Sequence, residues 1–165
     1  MANINNEYQD FVSSLKSSGI VLDPKVQEGF DKAVTEASKG RIADLRGSIA
    51  DPTSGDGQVD VPGEIYKQTM ADGKVTQEEL KVMREFREFT HAMEGHNRVT
   101  AATNSPNGIV GSEDNLNINI SETLDDQSRI LLRGLENRAG WQEGDERTKK
   151  MDDGGPNRLA NRDLS

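Results

Sequence analysis

Apolar residues recur along this chain at intervals of three and four in separate runs, most of them opened by a capping residue and closed by glycine. Such spacing lays the apolar side chains along one stripe of a helix, which turns once in about 3.6 residues. The first run follows Asn5 or Asn6, carries Tyr8, Phe11, Val12 and Leu15, and stops at Gly19. Asp23-Pro24 opens a second, a cap residue with proline at the first helical position, and Val26, Phe30, Ala33, Val34 and Ala37 form its face until Gly40. Gly29 inside this run weakens it by about 1 kcal/mol relative to alanine, so the helix depends on tertiary packing. Ile42, Leu45 and Ile49 predict a third helix that ends before Asp51-Pro52. Ile65, Tyr66 and Met70 fit a short helix, and Leu80, Met83, Phe86, Phe89 or Thr90, and Met93 trace the longest stripe until Gly95. Thr76-x-x-Glu79 before that stripe is a capping box, in which hydroxyl and carboxylate each satisfy a free backbone donor. A last helix follows Ser121 with Leu124, Ile130, Leu131, Leu132 and Leu135, its acidic residues early and Arg133 and Arg138 late, as the helix dipole favours.

The expected fold is mainly α: a small helical bundle with an EF-hand-like helix-loop-helix segment and a flexible tail. A helical domain covers 1–95. Residues 96–120 form an Asn/Gly/Ser-rich connection, because Asn104-Ser105-Pro106-Asn107-Gly108 is turn text. Within it Leu116, Ile118 and Ile120 alternate with asparagines, which permits one short strand without an evident partner. The C-terminal helix occupies 121–140, and the charged, glycine-containing tail 141–165 reads as disordered. Only 32% of residues are hydrophobic and 30% are charged, which leaves material for one small core. That core is expected from Tyr8, Phe11, Val12, Leu15, Val26, Phe30, Val34, Leu45, Ile65, Leu80, Met83 and Phe86, with Leu131 and Leu135.

Composition also excludes functions. The chain has no cysteine, so disulfides, thiol nucleophiles and cysteine metal sites are out. With 20 basic against 29 acidic residues the net charge is −9, the wrong sign for a general nucleic-acid binder. No transmembrane segment is expected, since the uncharged apolar runs, such as Ile20-Val21-Leu22, reach only three residues. The first residues carry neither a basic region nor an apolar stretch, so no cleavable signal peptide is visible. Charge mimicry of nucleic acid is disfavoured because basic residues are interspersed throughout, as in Arg84-Glu85-Phe86-Arg87-Glu88.

One phrase occurs twice: Asp56-Gly57-Gln58-Val59-Asp60 and Asp72-Gly73-Lys74-Val75-Thr76. A calcium loop uses short oxygen side chains, a glycine at the sharp turn, an apolar residue two positions on and a closing glutamate. In the second copy Gly73, Val75 and Glu79 fit that register, but Gln68 and Met70 stand where oxygen ligands belong. In the first copy Asp51, Thr53, Asp56 and Asp60 supply oxygens and Glu64 closes the segment, resembling a longer EF-hand loop. Val59 falls one place early for that register, and Gly63 occupies the standard closing position. These five are the candidate metal ligands, with calcium the one cofactor that the text permits. The competing reading is that Asp-Gly, a β-branched residue and a cap simply turn the chain into a helix. Val59 and Val75 are also placed to pair as a short antiparallel bridge.

Catalytic text is missing. His91 and His96 flank Glu94, with His91 and Glu94 on one helix face, but this is not the His-Glu-x-x-His pattern of zinc enzymes. No nucleophile elbow, phosphate loop or dinucleotide fingerprint occurs, and the chain is not expected to be an enzyme. The acidic, cysteine-free, aromatic-poor composition, with modest amphipathic helices and the helix-entry text Met70-Ala71-Asp72-Gly73-Lys74-Val75 and Thr76 to Leu80, resembles the harpin type of bacterial type III secreted helper proteins. The 30% charge and the lack of Gly-rich or Gln-rich blocks depart from that type. The resemblance implies export without a cleaved signal, association through amphipathic helices, and action at host surfaces. A marginal core and no cysteine suit a chain that must unfold for passage. The partner is then another protein or a second copy. A bacteriophage virion or assembly component fits the same features, a calcium-responsive module is the third alternative, and a cytoplasmic location stays open.

Overall fold

The computed structural model of the protein describes residues 3–46 and 60–154, with side chains through Trp141. Five helices follow in order: α1 (Ile4–Ser18), α2 (Pro24–Ser38), α3 (Val61–Met70), α4 (Gln77–Thr103) and α5 (Ser112–Gly154), and no strand occurs among the described residues. The result is the mainly α small bundle that the spacing predicts.

Its centre is aromatic. All four phenylalanines of the chain, Phe11 on α1, Phe30 on α2 and Phe86 and Phe89 on α4, are at most 2% exposed. Phe30 meets Phe89 edge-on at 5.4 Å, and Phe11 lies 5.1 Å from Phe86. Pairs of this kind contribute about 0.5–1.5 kcal/mol beyond the area they bury. Tyr8 closes the cluster 5.2 Å from Phe89, and its hydroxyl donates to the carboxylate of Asp31. Burial, then this bond to an anion, raises the Tyr8 hydroxyl pKa above its ordinary range. Of the expected core, Val12 and Leu131 pack against the cluster from partly buried positions and the rest are buried.

α4 is the spine, packed on α1 along one side and on α5 along the other. Cross-links between Arg84 and Glu136, His91 and Asp125, and Arg98 and Glu122 step in opposite directions along the two chains, so α4 and α5 are antiparallel. The caps are local. Asp23 accepts from the Lys25 N–H, and Thr76 and Glu79 form the reciprocal box, with Glu79 Oε1 3.0 Å from the Thr76 N–H and Thr76 Oγ1 3.1 Å from the Glu79 N–H. Gly19 ends α1 with φ 78°, a conformation that glycine adopts without strain.

Several expected boundaries are corrected. Asn3, not Asn5 or Asn6, caps α1. The third helix expected from Ile42, Leu45 and Ile49 does not form over 41–45; residues 47–50 lie outside the described residues. Two side-chain amides take over the backbone there. Asn97 on α4 accepts from the Ala43 N–H at 2.8 Å and donates to the Ala43 carbonyl at 3.1 Å, and Asn117 on α5 accepts from the Leu45 N–H at 3.1 Å. Gly95 does not stop α4, which runs on to Thr103 because Asn97, Thr100 and Ala101 continue its buried face. α5 begins at Ser112, so the connection shortens to 104–111 and the expected strand 116–120 is helix. α5 is described as far as Gly154, and 155–165 lie outside the described residues.

Candidate functional site

Of the five expected metal ligands, Asp51, Thr53 and Asp56 lie outside the described residues, as does Val59, the expected partner of Val75. Asp60 caps α3, its Oδ1 accepting from the Gly63 N–H at 3.2 Å. A Cβ added at Gly63 would sit 2.8 Å from Asp60 Cγ, so a larger residue there displaces the capping carboxylate from its present position. Glu64 stands in the first turn of α3 beside Val21, Leu22 and Asp23. In the second copy both carboxylates are engaged locally. Asp72 Oδ1 accepts from the Lys74 N–H at 3.1 Å across Gly73 (φ 78°), and Glu79 Oε1 accepts from the Thr76 N–H and hydroxyl. Gln68, at the first ligand position of the calcium register, clamps Val21 instead, donating to its carbonyl at 2.7 Å and accepting from its N–H at 2.9 Å. The second Asp-Gly phrase therefore turns the chain and caps α4.

A different constellation forms where α4 crosses α5. His91 and Glu94 share one face of α4, and Asp125 on α5 completes the group, with one ligand-type atom of each within 4.8 Å of the others. Asp125 Oδ2 lies 3.4 Å from His91 Nδ1, while its Oδ1 is buried with no hydrogen-bond partner. Glu94 is held by Arg98 at 3.1 Å, and Arg98 reaches on to Glu122 at 2.9 Å. The sequence marks His91 and Glu94 by their spacing. Asp125, 34 positions beyond His91, carries no local signal. His96 instead ties α4 to the chain leaving α2. Its Nε2 lies 2.7 Å from the Arg41 carbonyl oxygen, which can only accept, so that nitrogen donates.

A second polar group, Glu7, Asp10 and Glu85, gathers where α1 meets α4. Burial first, then the negative charges of its neighbours, raises the carboxyls of Glu7 and Glu85 above the ordinary glutamate range.

The outward side of α5 has its own pattern. At about 100° per residue, Leu116, Ile130 and Trp141 fall within about 40° of one another, about 120° round the helix from the buried Leu124, Ser128 and Leu135. They are 45%, 66% and 71% exposed, and Asn119, Thr123, Gln127, Gly134 and Asn137 fill the line between them without charge. No protein-family model, curated protein or solved structure matches this chain.

Proposed function

We propose that the protein is a non-enzymatic acidic interaction protein, of the secreted-helper kind its composition resembles, and that it associates through the outward face of α5. The observation that carries this reading is the alignment of Leu116, Ile130 and Trp141, exposed along an uncharged line on a helix whose other face is buried. Interfaces are enriched in aromatic anchors such as Trp141 and depleted of charge at their centre. A second copy is the first partner the spacing suits. Leu116 and Trp141 lie at the ends of the line and Ile130 near its middle, so an antiparallel pair of α5 helices sets Leu116 of one copy against Trp141 of the other. Supporting the non-enzymatic reading, the buried Ser121 and Ser128 hydroxyls donate to the carbonyls of Ile118 and Asp125 rather than facing a base.

Trp141 is the only tryptophan, so its emission reports on this face alone. Light scattering and tryptophan emission are followed on the full chain across a concentration series. The expected result is growth in mass together with a blue shift, both abolished by Ile130→Glu with helix content unchanged. A monomer with solvent-exposed emission at millimolar concentration overturns the reading.

A further inference from the structure

We propose that His91, Glu94 and Asp125 form a divalent metal site of the zinc class, linking α4 to α5 through one imidazole nitrogen and two carboxylate oxygens. The site rests on observations separate from the α5 face. One candidate donor atom of each residue lies within 4.8 Å of the other two. Donors around a tetrahedral zinc ion at about 2.0–2.2 Å are themselves about 3.3–3.6 Å apart, so binding draws the three together by at most about 1.5 Å.

The second observation is Asp125. The residue is 8% exposed and its Oδ1 is buried without a hydrogen-bond partner. A buried carboxylate oxygen is ordinarily satisfied, because leaving it bare costs its full hydration. The neighbouring His91 nitrogen faces the other oxygen, at 3.4 Å, which is too long for a strong bond. In the proposed site the bound cation is a partner for this carboxylate.

Ligand chemistry selects the ion. Calcium takes six to eight oxygens, which this crossing does not offer, whereas a nitrogen with two carboxylates suits zinc and its first-row neighbours. The His91 side chain is 70% exposed, which leaves a path for the ion and room for water in the fourth position. Arg98 bonds one oxygen of Glu94 and is anchored on Glu122 as well, so it can hold Glu94 in orientation while the other oxygen binds metal.

The test is calorimetric titration of the full chain with zinc chloride in a non-chelating buffer, with the visible spectrum of the cobalt(II) form as a coordination readout. One equivalent is expected to bind, with a four-coordinate cobalt spectrum. His91→Ala and Asp125→Asn are each expected to weaken binding about tenfold or more, and His96→Ala to leave it unchanged. If Asp125→Asn disturbs folding by circular dichroism, Glu94→Gln, at a partly exposed position, carries the same expectation. Weak multi-site binding, no binding, or a single site insensitive to His91 or lost with His96 overturns the proposal.

Discussion

Replacing Asn97 with alanine isolates the device that holds the segment 41–46 to the bundle. Asn97 is fully buried, and its amide is bonded to both the N–H and the carbonyl of Ala43, which is itself 0% exposed. The substitution removes two hydrogen bonds and leaves a buried donor and a buried acceptor facing a small void. Each unsatisfied group costs about 1–3 kcal/mol, so the two together predict a loss of about 2–6 kcal/mol. That is a large part of the total for a small domain, about 5–15 kcal/mol. With a urea slope of about 2 kcal/mol per molar, the midpoint followed by helical circular dichroism falls by about 1–3 M while the slope is unchanged. Asn97→Asp separates the terms. It preserves the shape and the acceptor for the Ala43 N–H but loses the donor to the carbonyl and buries a charge, so it is expected to be at least as damaging. Amide exchange at Ala43 is expected to accelerate in both. A loss below about 0.5 kcal/mol in Asn97→Ala, the size of an ordinary surface substitution, refutes the reasoning.

Other perturbations test neighbouring features. Phe89→Ala opens the aromatic centre where Tyr8, Phe11 and Phe30 meet and is expected to cost about 3–5 kcal/mol; a cost under about 1.5 kcal/mol in chemical denaturation means the cluster collapses around the gap. Thr76→Ala removes half of the reciprocal cap on α4 and is expected to cost about 1 kcal/mol, read as a drop of about 2–4 °C in Tm, whereas an unchanged Tm means that water replaces the hydroxyl. Glu85 titrates above its unfolded value, through burial and then the charges of Asp10 and Glu7, so its contribution to stability is full below pH 4.5 and is lost as pH rises through the folded value. Glu85→Gln is therefore expected to raise Tm at pH 7 by about 1–2 °C and to give no gain at about pH 4, and equal or lower stability at pH 7 contradicts the assigned cause.

The parts of the fold legible in the sequence are those set by local apolar spacing. Tyr8, Phe11 and Leu15, the Asp23-Pro24 entry, and the Thr76–Glu79 box each announce their helix within a few residues, and each helix stands there. The far half of the α4–α5 pair is not legible because it is packed with polar side chains. Asn97, Thr100 and Asn117 are buried, so no apolar stripe marks 96–103 or the start of α5 as helix, whereas from Ser121 on Leu124, Leu132 and Leu135 do mark it. Leu116 and Ile120 mislead for the same reason: one faces out and the other in, with Asn117 buried between them. The absent helix at 42–45 fails differently, since its determinants sit 54 and 72 positions away, on α4 and α5. The crossing site shares that cause: the chain carries the His91–Glu94 spacing, but only antiparallel packing brings Asp125 to it.

The two amide clamps also impose an order of events on folding. Asn97 and Asn117 stand on different helices, so the Ala43–Leu45 strip can gain both anchors only after α4 and α5 have paired. Closing so long a loop is entropically costly and is rewarded late, which places the helical hairpin in the nucleus and the strip among the last contacts made. Clamp substitutions should then speed unfolding and leave the refolding rate nearly untouched. The same strip, which carries the chain out of α2, acts as a latch on the kinetic lifetime of the native state.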